Sequence, residues 1–505
     1  MGGILRRPES TAHKTYDLII IGGGIYGIML SFEASKRGLS SLLLERADFG
    51  GATTFNCLRT LHGGFRYLQT MDLHRFRESV AERRWFMRTF PGLVEPLPCL
   101  MPLYGNGLRR PFILRIATWI NDALSYKRNE GVLLEKKLPA SQVINAEQTR
   151  KISPSIDLQG LQGGLIWYDA YMPDSQFIVM EILRWSCENG ATALNYVEAY
   201  QLLKMKAGVT GVIATNLQNG ETHEYKASVV VNAAGPWCRD VAARFDRDEP
   251  NLFKGLIAWN VLLNKESLSS HALAVAPKKP RAQTYFLLPW KGKLLAGTGQ
   301  ATWFESAENP MPKAEMLQKF LDDLNHALPS LKLNHKDILH VFAGLLPANK
   351  FGSPDLAVRE IILNHADHGG PRGLYSISGV KFTTARLVAE KILKQIFPER
   401  QVQEDTINEH CSPLQDKAER CGIFDFDWFP SPEDEQWKEA LRLLVEEESI
   451  QHLDDLIFHH TTLWENPERT LEITPYICEL FQWDDLRCNK ELERLSKKLK
   501  QIGDS

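Results

Sequence analysis

Three glycines near the N-terminus have the spacing of a phosphate-binding turn. Gly22, Gly24 and Gly27 form the pattern Gly-x-Gly-x-x-Gly, and the acidic residue Glu45 follows about twenty residues later. In such a turn the first glycine permits a tight bend, the second lets the backbone approach a diphosphate, and the third lets helix and strand pack closely. The acid accepts hydrogen bonds from ribose hydroxyls and would repel a 2′-phosphate. These residue types therefore predict a dinucleotide site and disfavour NADP.

The flanking residues predict the strands and the helix that such a turn requires. Residues 17–21 form an apolar run typical of a buried parallel strand, and residues 41–44 form a second one. Between them, residues 28–37 have helical character, with Gly38 placed to end the helix. Strand, turn, helix, second strand and acid occur in order, which predicts a Rossmann-type site, and a purely structural glycine turn is the alternative.

The composition is that of an ordinary globular protein. The chain has 505 residues, of which 44% are hydrophobic and 24% charged, so two or three domains are expected. A net charge of −3 gives no reason to expect a nucleic acid partner. The eight cysteines include no Cys-x-x-Cys pair, so we expect no metal. Neither an apolar run of membrane-spanning length nor a signal peptide is found, which predicts a cytoplasmic protein.

Later segments decide between FAD and NAD as the dinucleotide. The most specific is His-Gly-Gly-Phe-Arg-Tyr-Leu at 62–68, and four further segments accompany it in order. These lie at 164–170, 229–237, 376–384 and 453–462. Together they resemble the D-amino-acid-oxidase superfamily of flavoproteins, and within it the FAD-linked glycerol-3-phosphate dehydrogenases most closely. The resemblance implies FAD, since an NAD-dependent enzyme would lack the whole later set.

The resemblance also implies an α/β fold with a Rossmann-type FAD-binding domain, a mixed-sheet substrate domain and a helical C-terminal cap. We place the two interleaved domains in residues 1–410 and the cap, which carries none of the cofactor motifs, in residues 411–505. Apolar strand-like runs at 254–263 and 284–298 fit the mixed sheet. By resemblance, the FAD contacts are Gly22, Gly24, Ile25, Tyr26, Gly27, Glu45, Arg46, Thr53, Thr54, His62, Val197, Ala234, Gly235, Trp237, Gly379, Lys381, Phe382 and Thr383.

Five side chains are candidates for the chemistry of hydride transfer. By resemblance, Arg66 and Tyr67 face the substrate, and the guanidinium fork of Arg66 suits a phosphate or carboxylate, unless it pairs with an acid inside the fold. Lys381 lies beside the flavin and the substrate, or is a surface charge. His62 lies along the flavin, either as a base or as a packed histidine. Arg359 matches a family arginine that helps to hold an anionic substrate.

Three positions depart from the family pattern. The family string Lys-Gly-Ser-His, whose histidine serves proton transfer, is Lys-Gly-Leu-Ile here and ends at Ile257. The string Gly-x-Arg-Pro, whose arginine contacts the substrate, is Gly-Leu-Leu-Pro here and contains Leu346. Val380 stands where the family commonly has glycine. Because a base and an anion ligand are replaced by apolar side chains, we expect a less polar pocket and poor turnover of glycerol-3-phosphate.

These observations predict an FAD-dependent oxidoreductase that takes a hydride from a CH–OH substrate. An amine or amino-acid substrate stays open, because a neutral amine can lose hydride without a base. A flavin-binding protein without turnover is the other alternative.

The electron acceptor is expected to be quinone or dioxygen, and a membrane contact would favour quinone. Residues 109–128 combine basic ends with an aromatic, apolar middle. Such a helix either lies in a membrane interface, on the inner face of the membrane, or packs on the FAD domain. The second arrangement is slightly favoured.

Overall fold

The computed structural model describes residues 3–68, 71–105, 110–206, 208–279, 282–402 and 435–503. Its elements are numbered in chain order. The strands are β1 (Thr15–Tyr16), β2 (Leu18–Ile21), β3 (Ser41–Leu44), β4 (Thr60–Leu61), β5 (Glu95–Leu103), β6 (Gln142–Asn145), β7 (Gly163–Tyr171), β8 (Thr192–Leu194), β9 (Val197–Met205), β10 (Gly208–Asn216), β11 (Thr222–Ala227), β12 (Val230–Asn232), β13 (Gly255–Glu266), β14 (Ala272–Val275), β15 (Tyr285–Trp290), β16 (Lys293–Thr302), β17 (Ile338–Pro347), β18 (Ile361–Asn364) and β19 (Leu374–Ser378). The helices are α1 (Pro8–Ala12), α2 (Ile25–Ser35), α3 (Phe65–Leu68), α4 (Leu73–Thr89), α5 (Pro111–Leu124), α6 (Ala146–Ile152), α7 (Ser175–Glu188), α8 (Cys238–Phe245), α9 (Ala314–Ala327), α10 (Ala385–Ile396), α11 (Glu435–Glu447), α12 (Leu453–Asp455), α13 (Pro467–Leu480) and α14 (Asp485–Gly503).

A six-stranded sheet in the order β18-β19-β12-β2-β3-β8 carries the glycine turn. Its neighbouring strands pair in parallel, except that β18 is antiparallel to β19. Every residue of β2 and β3 is buried, as expected for parallel strands that are covered on both faces. Helices α2, α7 and α10 pack on one face, and the four-stranded sheet β1-β11-β10-β9 packs on the other. The predicted Rossmann-type arrangement is confirmed.

The turn between β2 and α2 requires glycine at two positions. Gly22 has a φ of +107°, which side-chain-bearing residues rarely adopt, and a Cβ there would lie 2.7 Å from the carbonyl oxygen of Ala233. A Cβ on Gly27 would lie 1.9 Å from the carbonyl oxygen of Gly22. Both obstacles are backbone atoms within packed elements, so neither site can accept a side chain without moving the turn.

A nine-stranded sheet provides the second large layer. It runs in the order β17-β13-β16-β15-β14-β5-β7-β4, with β6 paired to β7. Most pairs are antiparallel and the β14–β5 pair is parallel, so the predicted mixed sheet is confirmed. The predicted runs at 254–263 and 284–298 fall on β13 and on the β15–β16 hairpin. Helix α9 packs its apolar face against this sheet.

The described C-terminal residues are helical, as predicted. Helices α11 to α14 share one apolar cluster with β5, β7 and the β13–β16 region of the large sheet. The chain between α12 and α13 contains a turn of π-helix at Leu456–His460. The predicted boundary near residue 410 lies outside the described residues, so the domain division stays a prediction.

Helix α5 packs on the nine-stranded sheet and not on the six-stranded sheet. The favoured prediction, that this segment packs on the FAD domain, differs from this arrangement. Leu114 is buried, and the helix contacts β6 and β7. Its outer side exposes Phe112, Ile116 and Trp119, whose exposed fractions are 72%, 49% and 74%. Across the described stretches, no helix combines the length and apolarity needed to cross a bilayer.

Candidate functional site

A cavity of about 1980 Å³ lies between the six-stranded and the nine-stranded sheets. It exceeds the ~300–1,000 Å³ typical of small-molecule pockets, so it has room for a dinucleotide together with a substrate. Of the FAD contacts predicted from the sequence, all but Gly27 line it. Gly27 packs α2 against the turn instead.

The glycine turn forms the end of the cavity that suits a diphosphate. Gly24 precedes α2 directly, and Gly24, Ile25 and Tyr26 all line the cavity. The first N–H groups of a helix lack intrahelical acceptors and carry partial positive charge, which favours an anion there. One of them is already engaged, because the Ile25 N–H donates to Thr54 Oγ1 at 3.0 Å. The close backbone approach at Gly22 and this helix end fit the diphosphate of FAD.

Glu45 and Arg46 lie at the tip of β3, where a ribose is expected. The Glu45 carboxylate accepts hydrogen bonds from the N–H groups of Gly23 (2.6 Å) and Ala47 (2.8 Å). Burial raises the pKa of Glu45, while these hydrogen bonds oppose the rise. Arg46 pairs with Glu308 at 2.6 Å and lies over the Trp237 ring, 4.2 Å from its centroid.

Glu308 was not among the predicted site residues, although it lines the cavity and also accepts a hydrogen bond from Trp237 Nε1 at 2.9 Å. Glu308 lies far from Arg46 and Trp237 along the chain and belongs to none of the segments that carry the family resemblance. No sequence signal identified it.

Tyr26 joins the first cofactor segment to the last. Its hydroxyl accepts a hydrogen bond from the Lys381 N–H (3.0 Å) and donates one to the Lys381 carbonyl oxygen (2.9 Å). Its ring fills the space beside Gly379, where a Cβ would lie 1.8 Å from Tyr26 Cζ. Burial raises the pKa of Tyr26 to about 12. Gly379 is therefore required by close packing, whereas Val380 is accommodated beside it.

His62 lines the cavity and is held from behind by Asp169. The distance between His62 Nδ1 and Asp169 Oδ2 is 3.1 Å, and the Gly63 N–H and the Arg83 guanidinium contact the other carboxylate oxygen. Burial alone would raise the pKa of Asp169, but the interactions with His62, Arg83 and Gly63 lower it to about 2. Sequence reasoning named Asp169 only as part of a matched string, since its partner His62 is distant along the chain.

Two cations that line the cavity contact the ring of Tyr67. Lys381 Nζ lies 4.3 Å from the ring centroid and the Arg75 guanidinium lies 4.6 Å from it. Arg75 also pairs with Asp72 at 2.5 Å. Tyr67, Lys381 and Arg75 all line the cavity, so the structure brings two of the predicted catalytic residues together in a positively charged region.

The two predicted substrate arginines have different placements. Arg66 lies in α3, next to Tyr67, and its side chain is outside the described residues. Arg359 is exposed and is not among the residues that line the cavity, although Val358 beside it is. The role of Arg66 stays a prediction, and the geometry gives Arg359 no contact with the substrate region.

Leu346 and Ile257, the two apolar residues that depart from the family pattern, differ in whether they line the cavity. Leu346 lines the cavity, so an apolar side chain does stand in its wall. Ile257 is fully buried and packs with Trp259 and Val261, whereas Ala258 and Asn260 of the same strand line the cavity. Position 257 does not line the pocket, so the geometry does not support the expectation that the pocket has lost a base there.

Aromatic rings form one wall beside His62. The rings of Phe65 and Trp167 are stacked with centroids 5.8 Å apart, and Phe286 packs edge-on against Trp167 at 6.3 Å. Gln283 and Gln300 also line the cavity and offer amide groups. Phe65 and Trp167 belong to matched strings, but their role as a wall was not predicted.

The C-terminal helices contact the cofactor segment through a buried polar cluster. His459 Nδ1 lies 2.8 Å from Asp48 Oδ2, and His460 Nε2 lies 3.2 Å from the same oxygen. The other ring nitrogen of His460 lies 2.6 Å from Glu448, which also pairs with Arg184. Both ring nitrogens of His460 therefore face carboxylate oxygens, which can only accept hydrogen bonds when ionised. Sequence reasoning missed this cluster.

The cluster also bears on the expected absence of a metal. Asp48, Asp455 and His459 place ligand atoms within 4.8 Å of one another, and His459 and Asp455 line the cavity. Asp455 accepts a hydrogen bond from Tyr196 at 2.6 Å. Hydrogen bonding accounts for these contacts, so we assign no metal to them.

Comparisons with known proteins agree with this geometry. The family model described as FAD-dependent oxidoreductase matches residues 17–394. The glycerol-3-phosphate dehydrogenase of Synechocystis sp. is 27% identical over 412 residues, covering 78% of this chain and 72% of that protein. The mitochondrial glycerol-3-phosphate dehydrogenase of Schizosaccharomyces pombe is 29% identical over 408 residues. That match covers 76% of this chain but only 61% of the yeast protein.

Two solved structures share the fold. The glycerol-3-phosphate dehydrogenase from Bacillus halodurans, complexed with FAD, superposes with a TM-score of 0.71 at 19% identity, covering 98% of this chain and 96% of that one. The L-proline dehydrogenase from P. horikoshii gives 0.56 at 18% identity, covering 77% and 95%. The first likeness includes the C-terminal helices.

Proposed function

The chain belongs to the family of FAD-dependent oxidoreductases, and on this premise we propose that it oxidises a CH–OH compound to a carbonyl compound. FAD is its cofactor, and when bound it supplies the acceptor for the hydride. The glycine turn and Glu45 would hold the dinucleotide. His62, Tyr67 and Lys381 would surround the reacting carbon.

The observation that carries the proposal is that His62 lines the same cavity as the Tyr67–Lys381 pair. An alcohol must lose its hydroxyl proton as it loses hydride, and an imidazole within reach of the cavity can accept that proton. The cationic region around Tyr67 attracts an anionic substituent of the substrate. The described side chains thus include a candidate base and a positively charged region that can bind an anionic group.

The two sequence relatives and the Bacillus halodurans protein are glycerol-3-phosphate dehydrogenases, but we propose a different preferred substrate for this chain. Leu346 lines the cavity, at a position where the resemblance to the glycerol-3-phosphate dehydrogenases implies an arginine. A hydrogen bond to a charged group contributes about 1.5–3 kcal/mol, so its loss costs about tenfold to a hundredfold in turnover if it acts in the transition state. The aromatic wall of Phe65, Trp167 and Phe286 favours a substrate with a larger apolar face.

A substrate screen under anaerobic conditions tests the proposal. The purified yellow protein is mixed with glycerol-3-phosphate, polyols, hydroxy acids and secondary amines, and bleaching of the flavin absorbance is recorded. We expect a CH–OH compound other than glycerol-3-phosphate to bleach the flavin fastest. Bleaching by amines alone, or by no compound, would refute alcohol oxidation. If glycerol-3-phosphate has the highest kcat/KM of the panel, the inference from Leu346 is wrong.

We further propose that the acceptor is a membrane quinone, reached from the cytoplasmic face through α5. The exposed Phe112, Ile116 and Trp119 follow one another at helical spacing, and the exposed Arg110 and Arg115 lie on the same segment. An apolar stripe with basic neighbours suits the surface of an anionic membrane. Dioxygen is the competing acceptor, and faster reoxidation of the reduced protein by a soluble quinone analogue than by dioxygen would support the proposal.

A further inference from the structure

The Asp169 carboxylate is surrounded by hydrogen-bond donors. Oδ1 accepts from the Gly63 N–H at 2.7 Å and from Arg83 Nη1 at 3.0 Å. Oδ2 contacts His62 Nδ1 at 3.1 Å and accepts from Trp167 Nε1 at 3.3 Å. Asp169 is almost fully buried in β7. With both oxygens engaged, the carboxylate has a fixed orientation.

The fixed carboxylate determines which nitrogen of His62 is protonated. Asp169 is ionised at neutral pH, so it can only accept, and Nδ1 of His62 must donate to it. In a neutral imidazole the lone pair then lies on Nε2, on the opposite side of the ring. His62 is 45% exposed in its side chain and lines the cavity, so Nε2 is the nitrogen available to a ligand.

Arg83 keeps Asp169 from turning away. It is buried, and besides the carboxylate it contacts the Tyr168 carbonyl oxygen at 2.6 Å, so the guanidinium is anchored to β7 as well. The charged groups behind His62 are therefore Asp169 from β7 and, beyond it, Arg83 from α4.

We propose that Asp169 is a positioning residue for alcohol oxidation, which holds His62 with its unprotonated Nε2 directed at the substrate hydroxyl. This inference rests on the proposed function. In the step, the hydroxyl proton passes to Nε2, the electron pair of the O–H bond forms the second C–O bond, and the C–H hydrogen leaves with both its electrons as hydride to the flavin. The Asp169 carboxylate stabilises the imidazolium that results.

The conservative variant Asp169→Asn tests the inference. The asparagine amide has the same shape but can donate to Nδ1, which would move the proton of the neutral ring to Nε2. We expect flavin reduction by the CH–OH substrate to be about 10²–10⁴-fold slower, with substrate binding little changed. The pH profile of flavin reduction should change as well, because the partner that fixes the protonated nitrogen of His62 is replaced. Unchanged reduction rates and an unchanged pH profile would overturn the proposal.

A matched control is available elsewhere in the fold. His365 Nδ1 lies 2.9 Å from Asp246 Oδ2 in another His–Asp pair, and neither residue lines the cavity. Asp246→Asn should leave the pH profile of flavin reduction as in the unmodified chain. The double variant His62→Gln/Asp169→Asn separates positioning from a structural role, because Asp169→Asn should slow reduction no further once His62 is absent. An additional loss in the double variant would show that Asp169 acts otherwise.

A second readout needs no substrate. Diethyl pyrocarbonate acylates an unprotonated imidazole nitrogen, so the extent of His62 modification, read by peptide mass mapping, reports the lone pair at Nε2. We expect at least tenfold slower modification of His62 in Asp169→Asn and no change in Asp246→Asn. Equal rates would overturn the placement of Nε2. If no alcohol bleaches the flavin but this difference is found, the proposed reaction fails while the positioning of His62 stands.

Discussion

Replacing Asp48 with asparagine should loosen the C-terminal helices from the cofactor cavity. Asp48 is buried and its Oδ2 lies within hydrogen-bonding distance of both His459 and His460. An asparagine has one acceptor oxygen where the carboxylate has two, and Asn195 already donates to Oδ1, so at least one buried donor is left unsatisfied, at a cost of about 1–3 kcal/mol. Since 1.4 kcal/mol is tenfold in an equilibrium constant, local opening should become about fivefold to a hundredfold more frequent.

Amide hydrogen exchange measures this opening directly. In Asp48→Asn, peptides covering 453–463 should exchange about fivefold to a hundredfold faster, while peptides covering β13 and β17 should be unaffected. Asp485→Asn, which changes an exposed residue at the start of α14, is the matched control and should not alter exchange. A folded Asp48→Asn protein with unchanged exchange at 453–463 would refute the assignment of this cluster as the main link.

The same cluster gives a pH dependence of known sign. Burial alone would raise the pKa of Asp48, but the charges and hydrogen bonds of His460 and His459 lower it well below its ordinary value of about 3.9. A lowered folded-state pKa contributes stability above the unfolded value, which is lost as the pH falls through the folded value. The difference between the unmodified chain and Asp48→Asn should therefore persist at neutral pH and vanish only in strong acid.

Two further changes test the cofactor turn and the membrane contact. Gly27→Ala should purify with little or no flavin, because the added Cβ would lie 1.9 Å from the Gly22 carbonyl oxygen, and a normal yellow colour would contradict that packing. Phe112→Ser with Trp119→Ser should reduce co-sedimentation with anionic vesicles at least tenfold, since each buried aromatic contributes about 1.5–3 kcal/mol. Leu134→Ser, at a residue 79% exposed outside the α5 stripe, is the control, and unchanged binding of the double variant would exclude α5 as the contact.

The sequence was most informative where contacts are local. The β2–turn–α2–β3 unit was predictable because apolar runs, glycine spacing and a terminal acid all lie within residues 17–45, and the observed β3 has the predicted bounds. The later cofactor segments were found by resemblance, since no local pattern shows that β12 and β19 lie beside β2. The sequence could not show that Ile257 lies outside the cavity wall, because this depends on the register of β13 in the sheet.

Pairs that meet across the chain could not be predicted from spacing. Asp169 and His62 come from separate strings, and Glu308 approaches Arg46 only once the two sheets are packed together. The His459–Asp48 contact also depends on how the C-terminal helices dock. Each of these pairs joins residues whose types are unremarkable in isolation, and their chemistry arises from burial and mutual orientation.

The order of strands in the six-stranded sheet constrains how the chain reaches its folded state. β2 is flanked by β3, which follows soon after it, and by β12, and β12 in turn pairs with β19 near residue 374. At a synthesis rate of about 5–20 residues per second, the last of these strands is made on the order of tens of seconds after β2. During that time its apolar residues lack their final cover, so a nascent chain needs protection from aggregation. Because Tyr26 meets Lys381 only after β19 has been added, tight retention of FAD should mark the completion of folding.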